Sequence, residues 1–247
     1  MKIYDCFTYF NEEEMVRIRF EELKDSVDYF VVVEASETFT GQPKPFYFDD
    51  IENEFFDIKE KIIRVKYNFS SPNLSAWERE YEQRNAIMLG LDSAKDYDVI
   101  IISDADEIAR GSVAEVLPYL VLPVQLEVKQ YFWNYNWQVP LHCNQGARPV
   151  ACFRVHLNDN SPQQLRAAQT PRIKGSGWHF SFFGEEEKIK KKIESFAHTE
   201  YDKEEYKSFE KIKNRIENGI DPFDRFPLKY YNIDESYPKW VIKNKGK

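Results

Sequence analysis

Over the first hundred positions, short continuous apolar runs alternate with stretches of helical period. Residues 2–10 are rich in aromatic and β-favouring side chains and predict a first strand. Asn11-Glu12-Glu13-Glu14 supplies a cap and an acidic first turn. Val16, Phe20, Leu23 and Val27 then recur at the spacing of a helix with one buried stripe. Residues 29–34 form an apolar run typical of a strand covered on both faces. A polar loop over 35–44 and a short strand over 62–65 follow. Residues 76–91 predict a helix, and Val99-Ile100-Ile101-Ile102 predicts a buried strand. Strand, helix, strand, helix, strand at this spacing indicates the α/β class with a parallel sheet, whose ligands collect at the carboxyl ends of the strands.

Beyond Ser112 the texture changes. Residues 125–131, 151–155 and 177–182 predict shorter strands, arranged as a smaller mixed sheet. Residues 185–197 predict an amphipathic helix with Ile189, Ile193 and Phe196 inside and residues 188–192 as its solvated, lysine-rich face. With no repeat and no low-complexity linker, residues 1–247 read as a single domain: one half over 1–110, a second over 111–200, and an irregular tail over 201–247.

Composition narrows the class. A chain of 247 residues, 42% hydrophobic and 16% aromatic, supports a real core and excludes a disordered chain. The net charge of −8 argues against broad binding to nucleic acid, which needs a basic face. Apolar runs are too short to predict a transmembrane helix. Cys6 and Cys152 sit in apolar runs and read as small buried hydrophobes. An acidic residue as early as Asp5 argues against a signal peptide, so a reducing, cytoplasmic location is expected.

The sharpest chemistry is Ser103-Asp104-Ala105-Asp106-Glu107, directly after the Ile run. Alternation along an extended chain directs Asp104 and Asp106 to one side, where they repel unless a cation lies between them. Mg²⁺ or Mn²⁺ takes one or two carboxylates and completes its shell with water and substrate phosphates. The plainer alternative is an acidic turn that caps a helix. Trp77, Tyr81, Arg84, Met88 and Leu91 share one helical stripe, and a guanidinium there needs an anion. The plain readings are a salt bridge to Glu34 or Asp106 or snorkelling to water, and the sharper one is a diphosphate contact beside the aspartates, with Asn85 adjacent. Glu34 ends the second strand, as a ribose or base contact or as a solvated strand end.

His179 follows Gly175 and Gly177, which permit close backbone approach. It is either a satisfied core histidine or a third ligand to a metal held by the aspartates. Trp133 and Trp137, interleaved with Asn134 and Asn136, suit either core packing or stacking on sugar rings.

Several of these segments, in order, resemble glycosyltransferase family 17, the group containing the β-1,4-mannosyl-glycoprotein β-1,4-N-acetylglucosaminyltransferases. They are Tyr4-Asp5-Cys6-Phe7-Thr8-Tyr9-Phe10-Asn11-Glu12, Val33-Glu34-Ala35 with Thr38-Phe39-Thr40-Gly41, and Trp77-Glu78-Arg79-Glu80 with Gln83-Arg84-Asn85. Ser103-Asp104-Ala105-Asp106-Glu107-Ile108, Gly177-Trp178-His179 and Glu194-Ser195-Phe196-Ala197-His198 complete the series.

The resemblance implies a GT-A type, Rossmann-like nucleotide-sugar-binding sheet, with the first half on the nucleotide and the second on metal and acceptor. It also implies a UDP-sugar donor such as UDP-GlcNAc, a glycan acceptor, Mn²⁺ or Mg²⁺, and inverting transfer with one general base. Asp104 and Asp106 carry over as ribose and metal ligands; Arg84 and Asn85 match the family's segment, and His179 is a ligand by analogy with other GT-A enzymes. Glu187 and Glu107 are the candidate bases, with Glu187 preferred. A metal-dependent phosphohydrolase or nucleotidyltransferase on the same aspartates, and a non-catalytic carbohydrate-binding protein using residues 133–137, are the competing readings.

Overall fold

The computed structural model describes residues 1–144 and 148–246. In chain order, β1 (Ile3–Tyr9), α1 (Glu13–Leu23), β2 (Tyr29–Ala35), α2 (Phe48–Ile51), β3 (Ile62–Tyr67), α3 (Ala76–Asn85) and β4 (Val99–Asp104) build the first half. The second contains β5 (Glu107–Ala109), α4 (Gly111–Val116), β6 (Val124–Phe132), β7 (Trp137–Gln138), β8 (Val150–Phe153), α5 (Pro162–Ala167), β9 (Arg172–Ser181) and α6 (Glu186–Ser195). α7 (Glu204–Lys207), α8 (Phe209–Asn218), β10 (Lys229–Tyr230) and α9 (Lys239–Lys245) close the chain.

The result is a mixed α/β fold around one large sheet flanked by helices. β3, β2, β1 and β4 lie side by side and parallel, as their continuous apolar runs predict. Successive side chains pack on opposite faces, so each strand feeds two cores. Phe7, Phe30, Val32 and Ile101 meet Val16, Phe20 and Leu23 of α1 on one side. Cys6, Val31, Val33, Ile100 and Ile102 meet Ile87, Leu91 and Cys152 on the other. Cys6 and Cys152 are free, buried thiols, as expected of small hydrophobes.

Three expectations are corrected. The smaller sheet is not separate: β8 pairs antiparallel with both β4 and β6, carrying β6, β7, β9 and β10 into the same ten-stranded sheet. The predicted helix over 76–91 becomes α helix to Asn85 and a 3₁₀ turn over Ala86–Gly90. The tail over 201–247 is not irregular, because α8 buries Ile212 and ends on Gly219 in the left-handed conformation, φ +60°. Among the described residues no helix is long and apolar enough to cross a membrane.

Candidate active site

The site begins with a turn. β4 ends at Asp104, two residues reverse the chain, and β5 leaves at Glu107. Arg19, on the inner face of α1 and wholly buried, grips this turn from below. It donates to both Asp5 oxygens at 2.6 Å, to the Asp104 carbonyl at 3.0 Å and to the Glu107 carbonyl at 2.9 Å. A buried guanidinium is tolerated here because a fully buried carboxylate and two carbonyls absorb its donors. From the other side, Phe180 N–H of β9 donates to the Asp106 carbonyl at 2.9 Å, while Glu107 pairs in register with His179. Close approach of β5 and β9 depends on Gly177, where a Cβ would lie 2.0 Å from the Ile108 carbonyl oxygen. The close approach anticipated for these glycines is therefore real at Gly177.

Both carboxylates of the turn line one cavity of about 530 Å³, and each meets two cationic groups. Asp104 receives Arg84 at 2.9 Å on one oxygen and Arg166 at 2.8 Å on the other. Burial alone would raise its pKa, but the two guanidiniums outweigh it and hold the carboxyl well below the usual range. Asp106 receives Lys192 of α6 at 2.7 Å and His179 Nε2 at 3.3 Å, and it too is held strongly ionised against burial. Burial pushes His179 down, yet the Asp106 carboxylate carries the imidazole above its ordinary value.

Arg84 is also held by Glu80 at 2.9 Å and by Gln163. α3 is fixed over the strand ends because Gln83 donates to the carbonyls of Val33 at 3.0 Å and Tyr9 at 3.3 Å. α5 starts from a capping box between Ser161 and Gln164, with Pro162 in its first turn. This start delivers Arg166 beside Asp104. The cavity is also lined by Trp77 and Tyr81 of α3 and by His198 and Tyr201.

The turn therefore brings together Asp104, Asp106, Arg84, His179 and Glu107 from the predicted set. Glu107 is buried, bonds Arg166 at 2.6 Å and accepts the Asp104 N–H at 3.0 Å, so its charge serves the turn. Glu34 is corrected: its buried carboxylate accepts from Lys44 at 2.8 Å and from the backbone of Tyr47 and Phe48, anchoring the start of α2 rather than facing the cavity. Asn85 is likewise structural, accepting the Gln163 N–H at 3.0 Å. Glu187 lies exposed in the first turn of α6 and does not line the cavity.

The Trp133–Trp137 segment is not a sugar-facing loop. Trp133 is buried and donates to the Ile220 carbonyl at 2.7 Å, while Trp137 packs on Gly219 and Tyr230. Sequence reading missed Arg19, Arg166 and Lys192. Arg19 had a signal, since it falls inside the apolar stripe of α1. Lys192 was read as solvated, although it adjoins the buried Ile189 and Ile193 positions.

A divalent cation would have to use the carboxylates of the turn, whose four oxygens face Arg84, Arg166, His179 and Lys192. Among the described residues no three His, Cys, Asp or Glu side chains converge on a point. Hard cations at phosphate-transfer sites often take only one or two carboxylates from the protein and the rest from substrate phosphates. Asp104, whose side chain is 36% exposed, and Asp106 beside it supply that donor chemistry.

β-1,4-Mannosyl-glycoprotein 4-β-N-acetylglucosaminyltransferases from Rattus norvegicus and Homo sapiens are each 25% identical to this chain over gapped alignments 276 positions long. The alignments take in 95% of the chain and 51% and 52% of those proteins, so the chain spans about half the length of the curated relatives it matches. The crystal structure of 4-diphosphocytidyl-2C-methyl-D-erythritol synthase overlaps 70% of this chain and 87% of its own at 13% identity, with a TM-score of only 0.38. The sequence profile of glycosyltransferase family 17 matches residues 1–237, and the chain belongs to that family.

Proposed function

We propose that this chain is a GT-A type, inverting, divalent-metal-dependent transferase that moves N-acetylglucosamine from UDP-GlcNAc to a hydroxyl of a glycan. The observation that carries the reading is the placement of Asp104 and Asp106 on one cavity wall, at the carboxyl end of a parallel strand and among four cationic groups. The relatives' names supply the sugar and the mannosyl class of acceptor.

Arg84 and Arg166 hold the donor diphosphate, each forked guanidinium matching a phosphate. Asp104 and Asp106, with His179 adjoining, would hold Mn²⁺ or Mg²⁺, which would supply further positive charge to the leaving group. Lys192, paired with Asp106 at 2.7 Å, adds a cation at the same wall. Such fixed charges stabilise the departing diphosphate without reorganisation at the moment of transfer. Inversion requires a base on the acceptor side. Glu187 stands outside the cavity and Glu107 is committed to Arg166, so neither is assigned that role.

Thermal unfolding in the presence of UDP, with and without Mn²⁺, tests the donor site. Ligand that binds the native state alone raises the midpoint; at a hundredfold excess over Kd the stabilisation is about 2.7 kcal/mol. A Mn²⁺-dependent rise that disappears in Asp106→Asn is expected. An unchanged midpoint under saturating UDP and Mn²⁺ would remove the donor assignment. Release of inorganic phosphate or pyrophosphate in place of sugar transfer would point to hydrolysis or nucleotidyl transfer.

A further inference from the structure

α3 is buried the wrong way round. Its guanidiniums and amide go inward, with Arg79, Gln83 and Arg84 only 6%, 4% and 3% exposed, while Trp77 and Tyr81 stay 37% and 40% exposed. Transfer free energies favour the opposite arrangement, because two large rings would gain more from burial than any other side chains on this helix. The inward charges are explained by their partners: the carbonyls of Pro72 and Leu74 accept from Arg79, and Glu80 and Asp104 hold Arg84. The outward aromatics are not.

Trp77 and Tyr81 lie one turn apart on the same face, with ring centroids 6.2 Å apart and planes inclined at 45°. Trp77 is braced edge-to-face against His198 at 4.6 Å, which limits its rotamers. Both rings line the cavity while remaining partly exposed to solvent. Along the helix Trp77 stands about 10 Å from Arg84, at roughly 1.5 Å per residue. Glu80, between the two aromatics in sequence, and Glu37 also border the cavity.

We propose that Trp77 and Tyr81 form a stacking platform for the acceptor glycan, an inference that rests on the transferase reading above. A pyranose ring presents a face of weakly positive C–H groups, which the electron-rich face of an aromatic ring attracts, and it hides that face from water. Its hydroxyls suit a carboxylate acceptor such as Glu37, which borders the same cavity. A partly exposed platform also suits a ligand that continues into solvent, as a glycan carried on a larger molecule does. The donor, by contrast, is gathered by the buried Arg84 and Arg166 and the two aspartates.

The test combines a glycan array with thermal unfolding in UDP and Mn²⁺. Wild type, Trp77→Ala, Trp77→Phe and Tyr81→Ala are loaded with UDP and Mn²⁺ and applied to the array. Retention of glycans should fall by about tenfold or more in the two alanine variants and be largely kept by Trp77→Phe, while the UDP-induced midpoint shift is the same in all four. Four outcomes overturn the platform: unchanged retention by Trp77→Ala and Tyr81→Ala, equal loss in Trp77→Phe, loss of the UDP shift in the alanine variants, or a wild type stabilised by UDP that retains no glycan. Loss of the UDP shift with the rings removed would assign them to the nucleobase instead. A wild type that UDP does not stabilise would fail the transferase reading itself, which is a separate result.

Discussion

Arg19 and Asp5 form a fully buried, two-pronged ion pair at 2.6 Å, and the same guanidinium holds the carbonyls on both sides of the Asp104–Glu107 turn. Removing one partner leaves the other as an uncompensated buried charge. Arg19→Met should therefore cost about 3–5 kcal/mol in urea unfolding. Adding Asp5→Asn should return part of that loss, and strictly additive losses would show that the two residues do not act as a pair.

The His179–Asp106 contact gives stability a pH dependence. The imidazole pKa is raised in the folded state against burial, because Asp106 favours its charged form. Such a group contributes stability that is fully present below the unfolded value, about 6.5, and is lost as pH rises through the folded one. The stability gap between wild type and His179→Gln should thus be larger at pH 6 than at pH 9. A gap that does not change over that range would mean that the pair does not ionise as described.

Arg84 and Arg166 approach different oxygens of Asp104, so each can turn toward a phosphate without abandoning the turn to the other. Replacing either by Met should weaken UDP binding by tenfold or more, since hydrogen bonds to charged groups are worth about 1.5–3 kcal/mol. Calorimetric titration measures this directly. Wild-type affinity in both single variants would remove the guanidiniums from the donor site.

Gly177 and Gly175 separate two uses of glycine. A methyl group at 177 would meet the Ile108 carbonyl oxygen at 2.0 Å, whereas 175 has open space but φ of +67°. Gly177→Ala should destabilise by about 1–3 kcal/mol or more through forced separation of β5 and β9. Gly175→Ala should cost only about 1 kcal/mol, the ordinary strain of a left-handed backbone. Thermal midpoints falling in the reverse order would contradict the described packing.

The parallel half was legible because a strand buried on both faces must be continuously apolar, and Val31 to Val33 and Ile100 to Ile102 obey that requirement. Asp104 and Asp106 were legible from their position after such a run. Their partners were not: Arg166 and Lys192 lie 62 and 86 residues further along, and no local pattern links them to the turn. The stripe on α3 was half legible. Leu91 is core and Arg84 does find carboxylates, Asp104 and Glu80 in place of the expected Glu34 or Asp106, but Trp77 and Tyr81 face the cavity. Glu34 shows the converse limit: its strand-end position suggested a ligand, while three donors of the following loop consume it.

The turn carrying the two aspartates is held at once by Thr8 of β1, Arg19 of α1 and Phe180 of β9. No single segment can peel away and leave it intact. Its amide protons, Ala105 and the neighbouring Phe180 among them, should then exchange with solvent only when the whole molecule opens, on the slowest timescale the chain displays. Fraying of helices at the periphery would leave the aspartates in place, and their exchange rate would report the stability of the entire fold.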